Sequence, residues 1–293
     1  MKKGWVKRIA SNHSNLLIGI IILGLVLRLI GIFNFPVTFD EAHNLLFART
    51  KDIVLMIRAA SETHAPLYFL LWRFWQSFSE NVIFSRLLSL IFGVMTIPVI
   101  TFVGKRLFNR TVGIAAAFLV AISPTQVYYS SVGRMYALAF LESLLIIFFF
   151  KKFLDTKSGI IPLSILILAG LYTHFFFIIL FFVLNLLILI SWSKTKIPLR
   201  KWVLLNMVVF LFYLPAIFLI FTTKRSIVVP LNSIFKLPLF FTTSIIPWDL
   251  TQTLKIFQFS QIDLPSLAAM AVVLLSLAIF VWAAFVFRKD KNI

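Results

Sequence analysis

The sequence predicts an all-α, polytopic integral membrane protein. Its mean hydropathy is +1.01, and 61% of its residues are hydrophobic. Only 13% are charged, against about 25% in soluble domains. Each crossing of a bilayer requires about 20 mainly apolar residues, so the chain has room for about eight transmembrane helices and little else. We therefore expect one transmembrane domain over residues 1–293.

The basic residues predict how these helices are oriented. The net charge is +18, and most lysines and arginines form short clusters between apolar runs. The clusters are Lys2, Lys3, Lys7 and Arg8; Lys105, Arg106 and Arg110; Lys151, Lys152 and Lys157; Lys194, Lys196, Arg200 and Lys201; and Arg288, Lys289 and Lys291. Such clusters favour the cytoplasmic side, which predicts a multi-pass plasma-membrane protein with both termini in the cytoplasm. No RNA-recognition or helix-turn-helix signature accompanies the charge, so we expect no nucleic-acid partner.

The elements follow in order along the chain. The predicted transmembrane helices are Leu16–Phe33, Val82–Gly104, Val112–Tyr129, Met135–Phe150, two short helices within Ile160–Ile190 that bend near Tyr172–His174, Trp202–Phe221 and Leu264–Phe287. The first outer loop, residues 34–81, is too charged to span. Its segments Asp52–Ala60 and Leu67–Phe78 are typical of amphipathic helices that lie in the membrane interface. The last outer loop covers residues 222–263.

In this orientation the outer segments gather acidic, imidazole, phenolic and cationic side chains, which at a membrane boundary indicate a functional site. The candidate catalytic residues are Asp40 and Glu41, and the candidate substrate-binding residues are His64, Arg86, Tyr129, Arg134, His174, Lys224 and Arg225.

Asp40 and Glu41 directly follow the first predicted helix. A carboxylate within hydrogen-bond reach of an attacking hydroxyl can accept its proton. A solvated loop, or the first turn of a helix, where the dipole favours acids, also accounts for the pair. We expect the catalytic role because charges at membrane depth are usually functional.

Three other residues have both a binding and a structural interpretation. His64 precedes Pro66, which suits the first turn of a helix, so His64 either binds an anion at that N-terminus or is incidental to it. Arg134 can hold a phosphate through paired donors or extend to lipid headgroups. His174 is typical of an interhelical histidine as well as of a ligand. No metal-ligand spacing such as H-E-x-x-H occurs, and we expect no cofactor. Deeper in the membrane, Glu142 is expected to pair with a buried cation such as Arg28.

Five stretches occur in order over roughly residues 25–180: "LRLIGIFNFPVTFDEAHN", "HAPLYFLLWRFW", "SRLLSLIFGVMTIPVITFVGKRLF", "AISPTQVYYSSVGRMYALAFLESLL" and "LYTHFF". With this set the chain resembles the C-type membrane glycosyltransferases. It specifically resembles the bacterial family related to protein O-mannosyltransferases and aminoarabinose lipid A transferases (glycosyltransferase family 39-like), as a short member. Ala65 replaces one proline of that family's usual Pro-Pro pair.

The resemblance implies an enzyme that moves a sugar from a polyprenyl-phosphate donor to an acceptor hydroxyl or similar group on the extracytoplasmic face, with inversion. It implies that Asp40 is the general base, supported by Glu41. His64 would contact the donor phosphate, and Arg134, in "GRMY", matches the arginine of the family's "ARMY"-like segment. Arg28 and Arg86 match recurrent arginines with structural or phosphate-facing roles.

Two alternatives stay open. The first is a non-catalytic, truncated paralogue that serves as a lipid-binding scaffold. The second is a lipid or sugar transporter, which should place charged or broken segments in mid-membrane. The predicted polar residues lie at the outer edge instead, apart from Arg28 and Glu142.

Overall fold

A computed structural model describes residues 2–50, 52–63, 65–195 and 199–222. Within these ranges every regular element is an α-helix, which confirms the all-α class for this part of the chain. The helices are α1 (Lys2–Asn34), α2 (Phe39–Arg49), α3 (Ile53–Thr63), α4 (Leu67–Gln76), α5 (Val82–Leu107), α6 (Arg110–Ile122), α7 (Pro124–Ser131), α8 (Tyr136–Thr156), α9 (Ile160–Thr173), α10 (Phe177–Thr195) and α11 (Leu199–Thr222). The predicted helix Leu264–Phe287, and the predicted loop 222–263 beyond its first residue, lie outside the described residues.

Three of the described helices are long and apolar enough to cross a membrane, namely Ser14–Asn34 in α1, Val82–Leu107 in α5 and Leu199–Phe218 in α11. A bent pair, α6 with α7, would make a fourth. Large apolar side chains remain exposed along α1, α10 and α11. In water such a continuous apolar surface would be unfavourable, so these helices indicate a membrane-embedded protein.

One predicted helix is interrupted. Instead of a continuous Val112–Tyr129 helix, α6 ends at Ile122 and α7 begins at Pro124, with a bend of 59°. The Ser123 hydroxyl accepts a hydrogen bond from the Gln126 N–H at 3.4 Å. Pro124 takes the first position of α7, where its missing N–H costs nothing. The local sequence therefore starts a new helix at this point.

The segment between α1 and α5 contains three short helices. The segments predicted to be amphipathic correspond to α3 and α4. A further helix, α2, carries Asp40 and Glu41 in its first turn. Thr38 caps it, because the Thr38 hydroxyl accepts a hydrogen bond from the Glu41 N–H at 3.2 Å. The acidic pair thus lies where the helix dipole favours negative charge.

Helix α5 is at the centre of one group of helices and packs against α1, α6, α7 and α8. It approaches α6 closely, since a Cβ on Gly104 would lie 2.8 Å from the Cα of Gly113. A second apolar cluster joins α8, α9, α10 and α11 around buried residues such as Phe153, Leu163 and Trp202.

The two ends of the helices differ in charge. Arg86 lies near the start of α5 beside the end of α1, whereas Lys105 and Arg106 lie in its last turn, about 28 Å further along. Lys157 directly follows α8, and its carbonyl accepts a hydrogen bond from the Lys201 side chain at the start of α11 at 3.4 Å. We call the end that holds Asp40, Glu41 and Arg86 the carboxylate end. The opposite end, which holds Lys105, Arg106, Lys157 and Lys201, is called the basic end.

Candidate functional site

The two neighbouring acids have different surroundings. The Asp40 side chain is 61% exposed, whereas Glu41 is fully buried. Successive residues of an α-helix point about 100° apart, so one side of α2 faces the bundle while the adjacent position faces out. The Asp40 carboxylate is therefore accessible from outside the fold, whereas the Glu41 carboxylate is accessible only to its neighbours in the bundle.

Glu41 forms a two-point ion pair with Arg86. The Arg86 Nε donates to Glu41 Oε1 and the Arg86 Nη2 to Glu41 Oε2, both at 2.7 Å. Arg86 also donates to the carbonyls of Ile32 at 2.7 Å, Phe35 at 2.9 Å and Pro36 at 3.2 Å. The guanidinium therefore holds the chain between α1 and α2 in one conformation, with its own donors satisfied.

The same face of α2 fixes the turn that precedes Arg134. Glu41 Oε1 accepts a hydrogen bond from the Gly133 N–H at 2.9 Å, and Asn44 Nδ2 donates to the Gly133 carbonyl at 2.6 Å. Glu41 and Asn44 are three residues apart, so both reach the same neighbour. A Cβ on Gly133 would collide with the Trp72 ring. Only glycine allows this close approach.

Arg134 is positioned by this turn and reaches the exposed acid. Its Nη2 lies 3.2 Å from Asp40 Oδ2, and its side chain is only 5% exposed. The Ser89 hydroxyl donates to the Arg134 carbonyl at 3.1 Å, which leaves Tyr68 as the donor in its 2.7 Å hydrogen bond to Ser89. Burial raises the pKa of Tyr68, so the phenol remains protonated and keeps this donor role.

A row of rings, which we call the aromatic wall, lies beside this pair. It consists of Tyr128, Tyr129, Tyr136 and His174. The ring centroids are 5.2 Å apart for Tyr128 and Tyr129, 4.4 Å for Tyr129 and Tyr136, and 5.7 Å for Tyr136 and His174. The Arg134 Cζ lies 5.6 Å from the Tyr136 centroid, within cation–π range. Charge and aromatic surface are thus adjacent.

His174 lies in the turn between α9 and α10. Its Nδ1 accepts a hydrogen bond from the Phe176 N–H at 3.2 Å, so in the neutral ring the proton is on Nε2. Burial, and then the nearby charge of Arg134, lower the pKa of His174 from its ordinary value of 6.5. The histidine is therefore neutral near pH 7.

The structure brings together four of the predicted site residues, Asp40, Arg134, Tyr129 and His174. Glu41 and Arg86 lie behind them in a buried ion pair that holds the turn. His64, Lys224 and Arg225 lie outside the described residues. Sequence reasoning did not identify Asn44, Ser89 or Tyr136 as part of the site. Asn44 could have been recognised, because it falls three residues after Glu41 on the same helix face.

The expected pairing of Arg28 with Glu142 is replaced by other contacts. Arg28 donates to the carbonyls of Gly24 at 2.9 Å and of Val120 and Ala121 at 3.2 Å each. Glu142 accepts a hydrogen bond from the Thr173 hydroxyl at 3.0 Å. Both side chains are buried. The end of α6 supplies carbonyls that the sequence pattern did not reveal.

The arrangement can support acid–base and anion chemistry. Asp40 presents a carboxylate to the outside of the fold and can accept a proton. Arg134 provides a guanidinium in a largely buried position, where its field is less screened by water than at an open surface. The described residues contain no cluster of three or more His, Asp or Glu side chains that could hold a metal ion.

No protein-family model matches this chain, and no curated protein matches it.

Proposed function

We propose that the protein is a membrane glycosyltransferase that moves a sugar from a polyprenyl-phosphate donor to an acceptor outside the cytoplasm. The observation that carries this proposal is the 3.2 Å pair between exposed Asp40 and buried Arg134. Asp40 can take the proton that the acceptor loses. Arg134 can neutralise the negative charge that the leaving phosphate gains. The ordered sequence stretches described above support the same reaction.

The proposed step is a single inverting displacement. The acceptor O–H, or an equivalent N–H, transfers its proton to Asp40 while the acceptor atom attacks the anomeric carbon. The bond from that carbon to the phosphate oxygen breaks, and its electron pair leaves with the polyprenyl phosphate. Arg134 stabilises the charge gained by the phosphate, because a preorganised cation away from bulk water is effective there.

The surroundings of the pair suit such a donor. The aromatic wall offers ring faces against which the C–H face of a sugar can pack, with phenol groups at its edge. The exposed side chain of Phe39, next to Asp40, provides an apolar border for the polyprenyl tail. In this proposal His64, Lys224 and Arg225 add substrate contacts, and Glu41 with Arg86 maintains the position of Arg134.

The proposal includes an orientation. The chain crosses the plasma membrane about eight times, with both termini in the cytoplasm. The basic end faces the cytoplasm and the carboxylate end faces outward, because lysines and arginines concentrate at the first. Asp40 and Arg134 then meet donor and acceptor at the outer boundary of the bilayer.

Radiolabelled sugar transfer tests this function. Membranes containing the protein, and matched membranes lacking it, are incubated with a panel of polyprenyl-phosphate sugars labelled in the sugar. We expect label to move from the donor to a lipid, glycan or protein product only where the protein is present. Donor binding without transfer across the panel would instead favour a lipid-binding scaffold. Appearance of intact donor on the opposite face would favour a transporter.

A further inference from the structure

A cavity lies away from Asp40, between α2, α3 and α4. Its volume is about 500 Å³, and it is lined by residues of all three helices and of the turn after α4. The charged lining residues are Arg49, Arg73 and Glu80. Arg49 is nine residues beyond Asp40 on α2, or about 14 Å along the helix. The cavity is therefore separate from the candidate site described above.

The charges in this cavity have a defined arrangement. Arg49 Nη2 lies 3.2 Å from Glu80 Oε2, with the two side chains 57% and 72% exposed. Arg73 is partly buried and donates to the carbonyl of Thr50 and to Met56 Sδ. Two guanidinium groups thus share the cavity with one carboxylate. The excess charge favours an anion, and the carboxylate adds a place for a cation.

Apolar side chains surround the opening. Ile53, Val54 and Leu55 of α3 are exposed. The side chain of Phe74 in α4 is 64% exposed, and that of Phe78, which follows α4, is 67% exposed. Short amphipathic helices of this composition lie in the headgroup region with their apolar side chains among the acyl chains. At that depth the molecules that carry both phosphate and amine groups are the lipids themselves.

We propose that this cavity binds the headgroup of a zwitterionic phospholipid, with the lipid phosphate on Arg49 and Arg73 and the ammonium group on Glu80. The headgroup inserts between Arg49 and Glu80, whose exposed ion pair is weak because water screens it. After insertion, Arg49 faces the lipid phosphate and Glu80 faces the ammonium group, so each still has an oppositely charged partner. Guanidinium groups match phosphate oxygens through paired N–H donors, and the compact ammonium suits a single carboxylate. This site does not depend on the glycosyltransferase proposal.

Binding of tritiated phosphatidylethanolamine to the full chain, purified and delipidated in detergent, tests the proposal. We expect Arg49→Gln to raise the Kd about tenfold or more, because a charge-assisted contact is lost. Glu80→Gln should raise the Kd for phosphatidylethanolamine relative to that for phosphatidylglycerol, because only the first lipid has an ammonium group that needs the carboxylate. Arg49→Lys, which keeps the charge but loses the paired donors, should fall between wild type and Arg49→Gln.

Lys151→Gln is the matched control. Lys151 and Asp155 form a similar exposed ion pair at the basic end, 2.7 Å apart and outside this cavity. We expect this variant to bind phosphatidylethanolamine as the wild type does. Equal loss in Lys151→Gln and Arg49→Gln, or unchanged binding in Arg49→Gln, would overturn the site. Competition by inorganic phosphate as effective as that by phosphatidylethanolamine would overturn the assignment to a lipid.

Discussion

At the scale of single residues, Asp40 and Glu41 differ in exposure and in their ion-pair partners. The sequence predicted a functional acid pair next to the first helix, and the structure places that pair in the first turn of α2. The sequence did not reveal that Glu41 is fully buried against Arg86. That outcome depends on which face of α2 meets α5 and the Gly133 turn, and such long-range packing cannot be derived from a run of two acids.

The Glu41–Arg86 pair should be essential for stability. Glu41→Gln leaves a buried guanidinium without its counter-ion, which costs about 3–5 kcal/mol of unfolding free energy. Thermal or denaturant unfolding in detergent measures the change. The control is Glu80→Gln in the exposed pair with Arg49, for which we expect less than about 1 kcal/mol. Equal stability of Glu41→Gln and Glu80→Gln would show that the buried pair does not hold the turn.

His174 should make the protein sensitive to acid. Its pKa is lowered in the folded state, so as the pH falls below 6.5 the unfolded chain binds the proton first. The stability contributed by neutral His174 is therefore present above pH 6.5 and is lost below it. We expect Tm to fall between about pH 7.5 and about pH 5.5, and to fall less in His174→Gln. Identical pH profiles for the two proteins would contradict a partly buried, neutral histidine.

At the scale of elements, hydropathy predicted most of the helices in the described part of the chain. The start of α5 follows Asn81, whose side chain accepts hydrogen bonds from Ile83 and Phe84 N–H groups, and its last turn carries basic residues. The turn between α9 and α10 lies next to the bend predicted near Tyr172–His174. The break at Ser123–Pro124 was missed because α6 and α7 taken together have the length and hydropathy of one membrane span, although the Ser-Pro pair is a recognisable helix start.

The contact between α5 and α6 should tolerate no side chain at Gly113. A Cβ there would lie 2.9 Å from the Lys105 backbone nitrogen and 3.3 Å from the Thr101 carbonyl carbon, and backbone atoms cannot move aside as a side chain can. We expect Gly113→Val to lower the unfolding free energy by about 1–3 kcal/mol or more.

Gly19 provides the control for that substitution. A Cβ on Gly19 of α1 would meet no atom within 4 Å. Gly19→Ala should therefore be neutral or stabilise α1 by about 0.5–1 kcal/mol, through its higher helix propensity. Unfolding measurements in which Gly113→Val is as stable as Gly19→Ala would show that α5 and α6 are not in close contact.

At the scale of the whole molecule, charge separates along the helices. Basic side chains lie at one end of α5 and α8, while Asp40, Arg134 and the aromatic wall lie at the other. The sequence predicted this separation from the spacing of the basic clusters. It could not predict that Gly133, held by α2, would bring Arg134 to Asp40 across 94 positions of sequence, since no local pattern encodes that contact.

The orientation can be measured by labelling, because the chain contains no Cys. Single cysteines replace exposed Val37 near Asp40 and exposed Ser158 at the basic end. We expect a membrane-impermeant maleimide to label Val37→Cys on intact cells, and Ser158→Cys only after the membrane is opened. The reverse pattern would place Asp40 on the cytoplasmic side and contradict the proposed topology.

The most direct test of the central claim is sugar transfer by Asp40→Asn, compared with Asp155→Asn. Asp155 is an exposed acid at the basic end, in an ion pair with Lys151. Loss of the general base should lower the transfer rate of Asp40→Asn by about 10²-fold or more in protein that a thermal melt shows to be folded, and Asp155→Asn should remain fully active. Transfer by folded Asp40→Asn at the wild-type rate would contradict the account.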